Sequence, residues 1–160
     1  MKLWIIYKEG IGFSRIIAEI LQDRLEDYID VFIGNAKKVD PSYLVEEKLE
    51  YLITGDVISD NNPSMEIQNW LLKFFKLVKE CNFHVKAISG FYVVLTNNSN
   101  EPAWVSLLQE NIKTEIIYPP VLRIRLDIEK MALEEGSLEL IKAYVNNFVN
   151  PIGDRNKFIE

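Results

Sequence analysis

At 160 residues, 48% hydrophobic and 26% charged, the chain has the size and mix of a single soluble globular domain with a sizeable core. A net charge of -6 argues against a general nucleic-acid surface, and the basic groupings Lys37-Lys38 and Arg123 with Arg125 read as solvated strand or loop ends. The single cysteine, Cys81, excludes an intrachain disulfide and a thiolate cluster, and the lone His84 argues against zinc; both fall between a helix and a strand, where packing is expected. The start, MKLWIIYKEG, lacks a signal-peptide pattern, and no apolar stretch is long enough to span a bilayer, so the expected address is cytoplasmic, with no membrane partner.

The chain opens with an apolar run, Leu3 to Tyr7, that reads as a buried strand. Lys8 to Phe13, with Gly10 and Gly12, forms a turn, and Ser14 to Tyr28 a helix carrying Ile17, Leu21, Leu25 and Tyr28 on one face. Such a strand-to-helix turn aims bare N–H groups at the positive end of a helix, a natural seat for a phosphate. Ile29 to Ile33 reads as a second strand, and Asp40-Pro41 as the cap and first residue of a short helix. A third strand, Tyr51 to Thr54, is expected to stop at Gly55, followed by a loop from Asp56 to Asn62 and a helix opened by Pro63. In that third helix Ile67, Trp70, Leu71, Phe74, Phe75 and Val78 make an apolar stripe opposite Lys73, Lys76 and Lys79, the pattern of a helix lying on a sheet.

A fourth strand begins near His84, with Gly90 as a bulge or strand end, or else continues as far as Leu95. Asn97 to Asn100 is a turn cluster, Pro102 to Asn111 a short helix facing Trp104, Leu107 and Leu108 inward, and Thr114 to Leu126 holds a fifth strand edged by Pro119-Pro120. Ser137 caps a last helix whose Leu138, Ile141, Val145 and Phe148 share a face, and Pro151 is expected to end it. The domain is thus expected over 1–151, with 152–160 a loosely held tail. Strand and helix alternate about five times, which implies an α/β domain with helices on both faces of a parallel sheet and its ligand edge at the carboxyl ends of the strands.

The order of these elements resembles the flavodoxin family over nearly the whole chain. The resemblance rests on Val31 to Pro41, on Leu52-Ile53-Thr54-Gly55 with Pro63 to Ile67, and on the first turn. It implies a three-layer sandwich with a five-stranded parallel sheet of order 2-1-3-4-5 and FMN at the switch point. The family's phosphate turn, Thr/Ser-x-Thr-Gly-x-Thr, falls on Glu9, Ile11, Gly12 and Ser14, so Glu9 and Ile11 stand where two hydroxyls are usual. Carried onto this chain, the resemblance places an FMN phosphate at Gly10, Ile11, Gly12, Phe13 and Ser14, and the flavin ring beside Asp56, Val57, Ile58, Gly90 and Tyr92.

Three functions follow as expectations. The first is an FMN-binding electron carrier whose acidic surface suits basic redox partner proteins. The second is a domain of the same fold that has lost flavin and serves as a protein-interaction or small-ligand module. The third is a phosphorylation receiver with Asp56 as acceptor, although Glu9 alone follows the first strand and Tyr118-Pro119-Pro120 stands where a lysine belongs. A flavin-dependent oxidase or reductase stays open, and no Ser-His-Asp or Cys-His constellation is present in the sequence pattern.

Overall fold

A computed structural model describes residues 1–8, 10, 12–58, 64–95, 108, 110 and 120–159, with side chains up to 150. Its strands are β1 (Lys2–Tyr7), β2 (Asp30–Asn35), β3 (Tyr51–Ile58), β4 (Ala87–Val94), β5 (Leu122–Asp127) and β6 (Ala132–Leu133). The helices are α1 (Phe13–Leu25), α2 (Pro41–Glu46), α3 (Met65–Glu80) and α4 (Ser137–Ile159). The strands form one sheet of order β2-β1-β3-β4-β5-β6. The first five are parallel, in the expected order, and β6 adds a short antiparallel edge against Leu126 and Asp127.

Side chains alternate across the sheet and bury on both faces, as a parallel sheet with two helical layers requires. Leu3, Ile5, Ile53, Phe91, Val93 and Ile124 pack with Ile17, Leu21 and Leu25 of α1 and with Ile141, Tyr144, Val145 and Phe148 of α4. On the other face Trp4, Ile6, Leu52, Ile88 and Tyr92 pack with Leu44 of α2 and with Ile67, Trp70, Leu71, Phe74 and Phe75 of α3. The apolar stripe of α3 is therefore core. The Asp40 carboxylate accepts from the Ser42 amide and caps α2, and Trp70 ties α3 to the α2 layer by donating to the Val39 carbonyl. The Tyr144 hydroxyl donates to Ser89 at 2.8 Å inside the α4–β4 interface, where burial pushes its pKa up.

Several expectations are corrected. β3 runs through Gly55 to Ile58, because Gly55, Asp56, Val57 and Ile58 pair in register with Phe91 to Val94. Gly90 is interior to β4, opposite Thr54, so of the two expectations for the fourth strand the continuous one holds. Tyr28 lies past the end of α1 and is 54% exposed, while Leu138 is exposed and Tyr144 is buried in its place. Cys81 and His84 are exposed, not packed. The backbone of α4 continues through Pro151, where a stop is expected because proline lacks an amide donor. The turn at 97–100, Pro119, and the helix at 102–111 apart from Leu108 and Glu110 lie outside the described residues; Leu108 is helical and buried.

Candidate functional site

The carboxyl ends of β1, β3 and β4 meet the start of α1. β1 ends level with Gly55, and the Lys8 amide donates to the Gly55 carbonyl, fixing where the chain leaves the sheet. The chain then reverses through Gly12, whose φ of 94° lies in the left-handed region that glycine enters without a Cβ penalty. Gly12 is also the N-cap of α1: its carbonyl accepts from the Ile16 amide, no side chain caps the helix, and no acid stands in the first turn. The first turn therefore keeps its positive end uncapped by side chains. A Cβ at either Gly10 or Gly12 would meet no atom within 4 Å, so Gly12 is demanded by its backbone angle and Gly10 by neither angle nor space.

Ser14, the last hydroxyl position of the expected phosphate turn, is fully buried and donates its proton to the Lys8 carbonyl. That bond staples the two ends of the turn together. Phe13 is half-buried and packs on the α1 side of the core. Ile11 and Glu9 lie outside the described residues.

β3 outruns β1 by the three residues Asp56, Val57 and Ile58. Gly55 turns its carbonyl toward β1 and Ile58 turns its carbonyl toward β4, so Val57, two residues after Gly55, presents its amide to the side where β1 has stopped. A buried amide without a partner is costly, and the Asp56 carboxylate supplies one by accepting from Val57 at 2.8 Å. Its other oxygen accepts from the Ser64 amide at 2.7 Å, at the N-cap of α3. Asp56 is 1% exposed. Burial pushes its pKa up, and the hydrogen bonds from Ser64 and Val57 and the nearby Lys8 ammonium oppose that shift. The geometry makes Asp56 a clamp on the end of β3, buried and with both oxygens engaged by main-chain amides.

Tyr92 is buried on the α3 side and Gly90 is mid-strand, so neither stands in a loop above the edge. Asp56, Val57 and Ile58 are sheet residues as well. The sequence reading placed Asp56, Val57 and Ile58 in a flanking loop because Gly55 resembles a strand end, and left Gly90 and Tyr92 either at the end of the fourth strand or within it. The pairing of β3 with β4, a long-range feature, keeps both strands going. Residues 59–63 and 96–107, the connections that leave this edge, lie outside the described residues.

No family model matches this sequence, and no curated protein matches it either. Solved structures do. Oxidised flavodoxin 2 from Bacillus cereus superposes with a TM-score of 0.70 at 17% identity, covering 94% of this chain and 99% of that one. The fold is flavodoxin-like. A flavodoxin from the domain Archaea superposes with a TM-score of 0.67 at 14% identity, covering 96% of this chain and 99% of its own. The rubredoxin oxygen:oxidoreductase of Desulfovibrio gigas gives 0.70 at 13% identity over 96% of this chain, which spans only 36% of that protein. In a sheet of this order the topological switch point falls between β1 and β3, at the carboxyl ends where α1 begins.

FMN can be tested against these residues. Among the described residues of the turn, three features suit its phosphate: Gly12 is left-handed, the α1 N-terminus is uncapped by side chains, and the space beside both Gly10 and Gly12 is open. The phosphate does not gain the Ser14 proton, which is already given to Lys8. At the ring end, Asp56, Val57, Ile58, Gly90 and Tyr92 supply no open aromatic wall. Among the described residues no group of three or more His, Cys, Asp or Glu is placed to hold a metal, and no helix is long and apolar enough to cross a membrane.

Proposed function

We propose that this chain is a flavodoxin-type electron carrier that takes FMN at the carboxyl edge of its sheet. The observation that carries the reading is the left-handed Gly12 turn, which leaves the α1 N-terminus bare of side-chain caps next to the end of β1. Main-chain amides of the turn and the first helical residues hold the phosphate, and Gly10 and Gly12 let it approach closely. Bound there, FMN supplies the electron carriage. The chain orients it: Ser14 holds the turn closed through Lys8, and Asp56 holds β3 and the start of α3 in fixed relation beside it. The net charge of -6 favours docking to redox partner proteins with basic surfaces. The likeness to flavodoxins supports this reading at the level of the fold.

A second reading is favoured by one observation. With Glu9 and Ile11 in two hydroxyl positions and the Ser14 proton committed to Lys8, the turn offers a phosphate no hydroxyl donor among the described residues. Two lost hydrogen bonds to a charged group amount to roughly 3–6 kcal/mol. On this reading the domain is a flavin-free interaction module. Titrating FMN into the purified protein separates the two. The electron-carrier reading expects quenched flavin fluorescence and a shifted visible spectrum at micromolar FMN, with weaker binding of riboflavin, which lacks the phosphate. An unchanged spectrum up to millimolar FMN would overturn the electron-carrier reading and leave the flavin-free domain.

A further inference from the structure

The outer edge of β2 carries an inference independent of any flavin. Among the described residues β2 is the terminal strand of the sheet and pairs only with β1. The Asp30 amide donates to the Met1 carbonyl and the Ala36 amide to the Tyr7 carbonyl, so even-numbered residues direct their polar groups toward β1. Val31 and Ile33 therefore point their N–H and C=O groups outward. The Gln22 side chain takes one lone pair of the Val31 carbonyl. Asn35 already spends its carbonyl on Lys38 and Val39, which ends the usable edge there. The strand lacks the lysine, proline or bulge that usually guards such an edge, and its central residues are Val31, Phe32, Ile33 and Gly34. Phe32 is 40% exposed although it stacks on Trp4, and Tyr43, which meets Trp4 edge-on, is 48% exposed.

We propose that this edge pairs antiparallel with the β2 edge of a second copy of the chain, across a two-fold axis at Phe32. Three constraints select that register. A two-fold axis normal to the sheet keeps each side chain on its own face, so a residue must face one an even number of positions away. The outward groups belong to Val31 and Ile33, so these two must form the hydrogen-bonded pairs. Each Val31 amide then donates to the carbonyl of Ile33 of the partner subunit, and each Ile33 amide to the carbonyl of Val31 of the partner subunit. The axis brings the two Phe32 rings together on the α2 face.

The third constraint is charge. Glu26, Asp27 and Asp30 precede or open the strand and Lys37 and Lys38 follow it, all exposed. Glu26 and Asp27, like the two lysines, sit on the turns that flank the strand, so antiparallel pairing brings the acidic end of each β2 beside the basic end of its mate. Parallel pairing would place like charges together at both ends. The edge is thus self-complementary in the antiparallel sense alone.

Sedimentation equilibrium of the full chain over a concentration series tests this. The expected result is a reversible dimer of twice the 18.6 kDa chain, weakened by added salt. Lys37→Glu with Lys38→Glu should raise the dimer dissociation constant roughly tenfold. Adding Glu26→Lys with Asp27→Lys to the same chain should restore it, since the two ends are again opposite in charge. Ile33→Pro removes an outward amide without touching a bond to β1 and should leave a monomer. The charge variants lie on exposed turns and decide the matter even where the proline variant fails to fold. A wild-type chain that stays monomeric at high micromolar concentration overturns the proposal, as does a dimer indifferent to the first reversal or unrestored by the second.

Discussion

Gly55 is where the packing of the sheet can be tested most sharply. It sits inside β3 opposite Phe91 of β4, and the Phe91 ring lies over it. A Cβ built on Gly55 would fall 2.0 Å from Cζ of that ring and 2.4 Å from both Cε atoms. Phe91 is fully buried among Ile5, Ile53, Val93 and Ile141, so the ring has no free volume to enter. Gly55→Ala therefore overpacks the core, at a cost near the upper end of about 1–3 kcal/mol. For a domain of this length about 3 kcal/mol lowers the melting temperature by roughly 6–12 °C. Circular-dichroism melts and urea titrations of Gly55→Ala, Phe91→Leu and the double variant form a cycle. Phe91→Leu destabilises alone by lost burial, yet in the Gly55→Ala background it removes the atoms that clash. The double variant should be more stable than the sum of the singles by at least about 1 kcal/mol. Additivity within about 0.5 kcal/mol would refute the claim that the ring is what keeps residue 55 a glycine.

Two further outcomes follow from the edge. Gly12→Ala should lower stability by about 1 kcal/mol because of the left-handed backbone, whereas Gly10→Ala should leave the urea midpoint nearly unchanged. Because Asp56 has its folded pKa raised by burial, its contribution is fullest below its ordinary value of 3.8 and declines as pH rises through the folded value. Asp40 is opposite: held down to about 2 by Lys73 and Ser42, it stabilises above the ordinary carboxylate value and loses that contribution as pH falls toward 2, an effect kept small by its exposure. Urea unfolding from about pH 3 to about pH 7 should therefore show the wild type losing ground to Asp56→Asn and gaining it on Asp40→Asn. Parallel profiles for wild type and Asp56→Asn would refute the buried-clamp assignment.

What could be read from the sequence was what local pattern encodes. The spacing of Ile17, Leu21 and Leu25 and of Ile67, Trp70, Leu71, Phe74 and Phe75 gave the faces of α1 and α3, and Asp40-Pro41 gave the start of α2. The length of β3 was hidden, because Gly55 and Asp56 have low strand propensity and are held extended by pairing with the neighbouring strands, Gly55 with both β1 and β4 and Asp56 with β4. That error carried Asp56, Val57 and Ile58 into a loop they do not occupy, whereas for Gly90 and Tyr92 the continuous strand was one of the two expectations. β6 was invisible for another reason: two residues after a left-handed Met131 make too short a pattern to read. The Gly12 turn was legible from its glycines, but the proton Ser14 gives to Lys8 depends on how the turn folds back on itself.

The overhang of β3 beyond β1 gives the rim of the sheet an electrical slope. On its low side lies the bare, positive start of α1; on its high side, the Asp56 carboxylate, sunk between Val57 and Ser64. The acid's two oxygens face inward, spent on the amides of Val57 and Ser64, so it is the helix start and not the carboxylate that the rim turns outward.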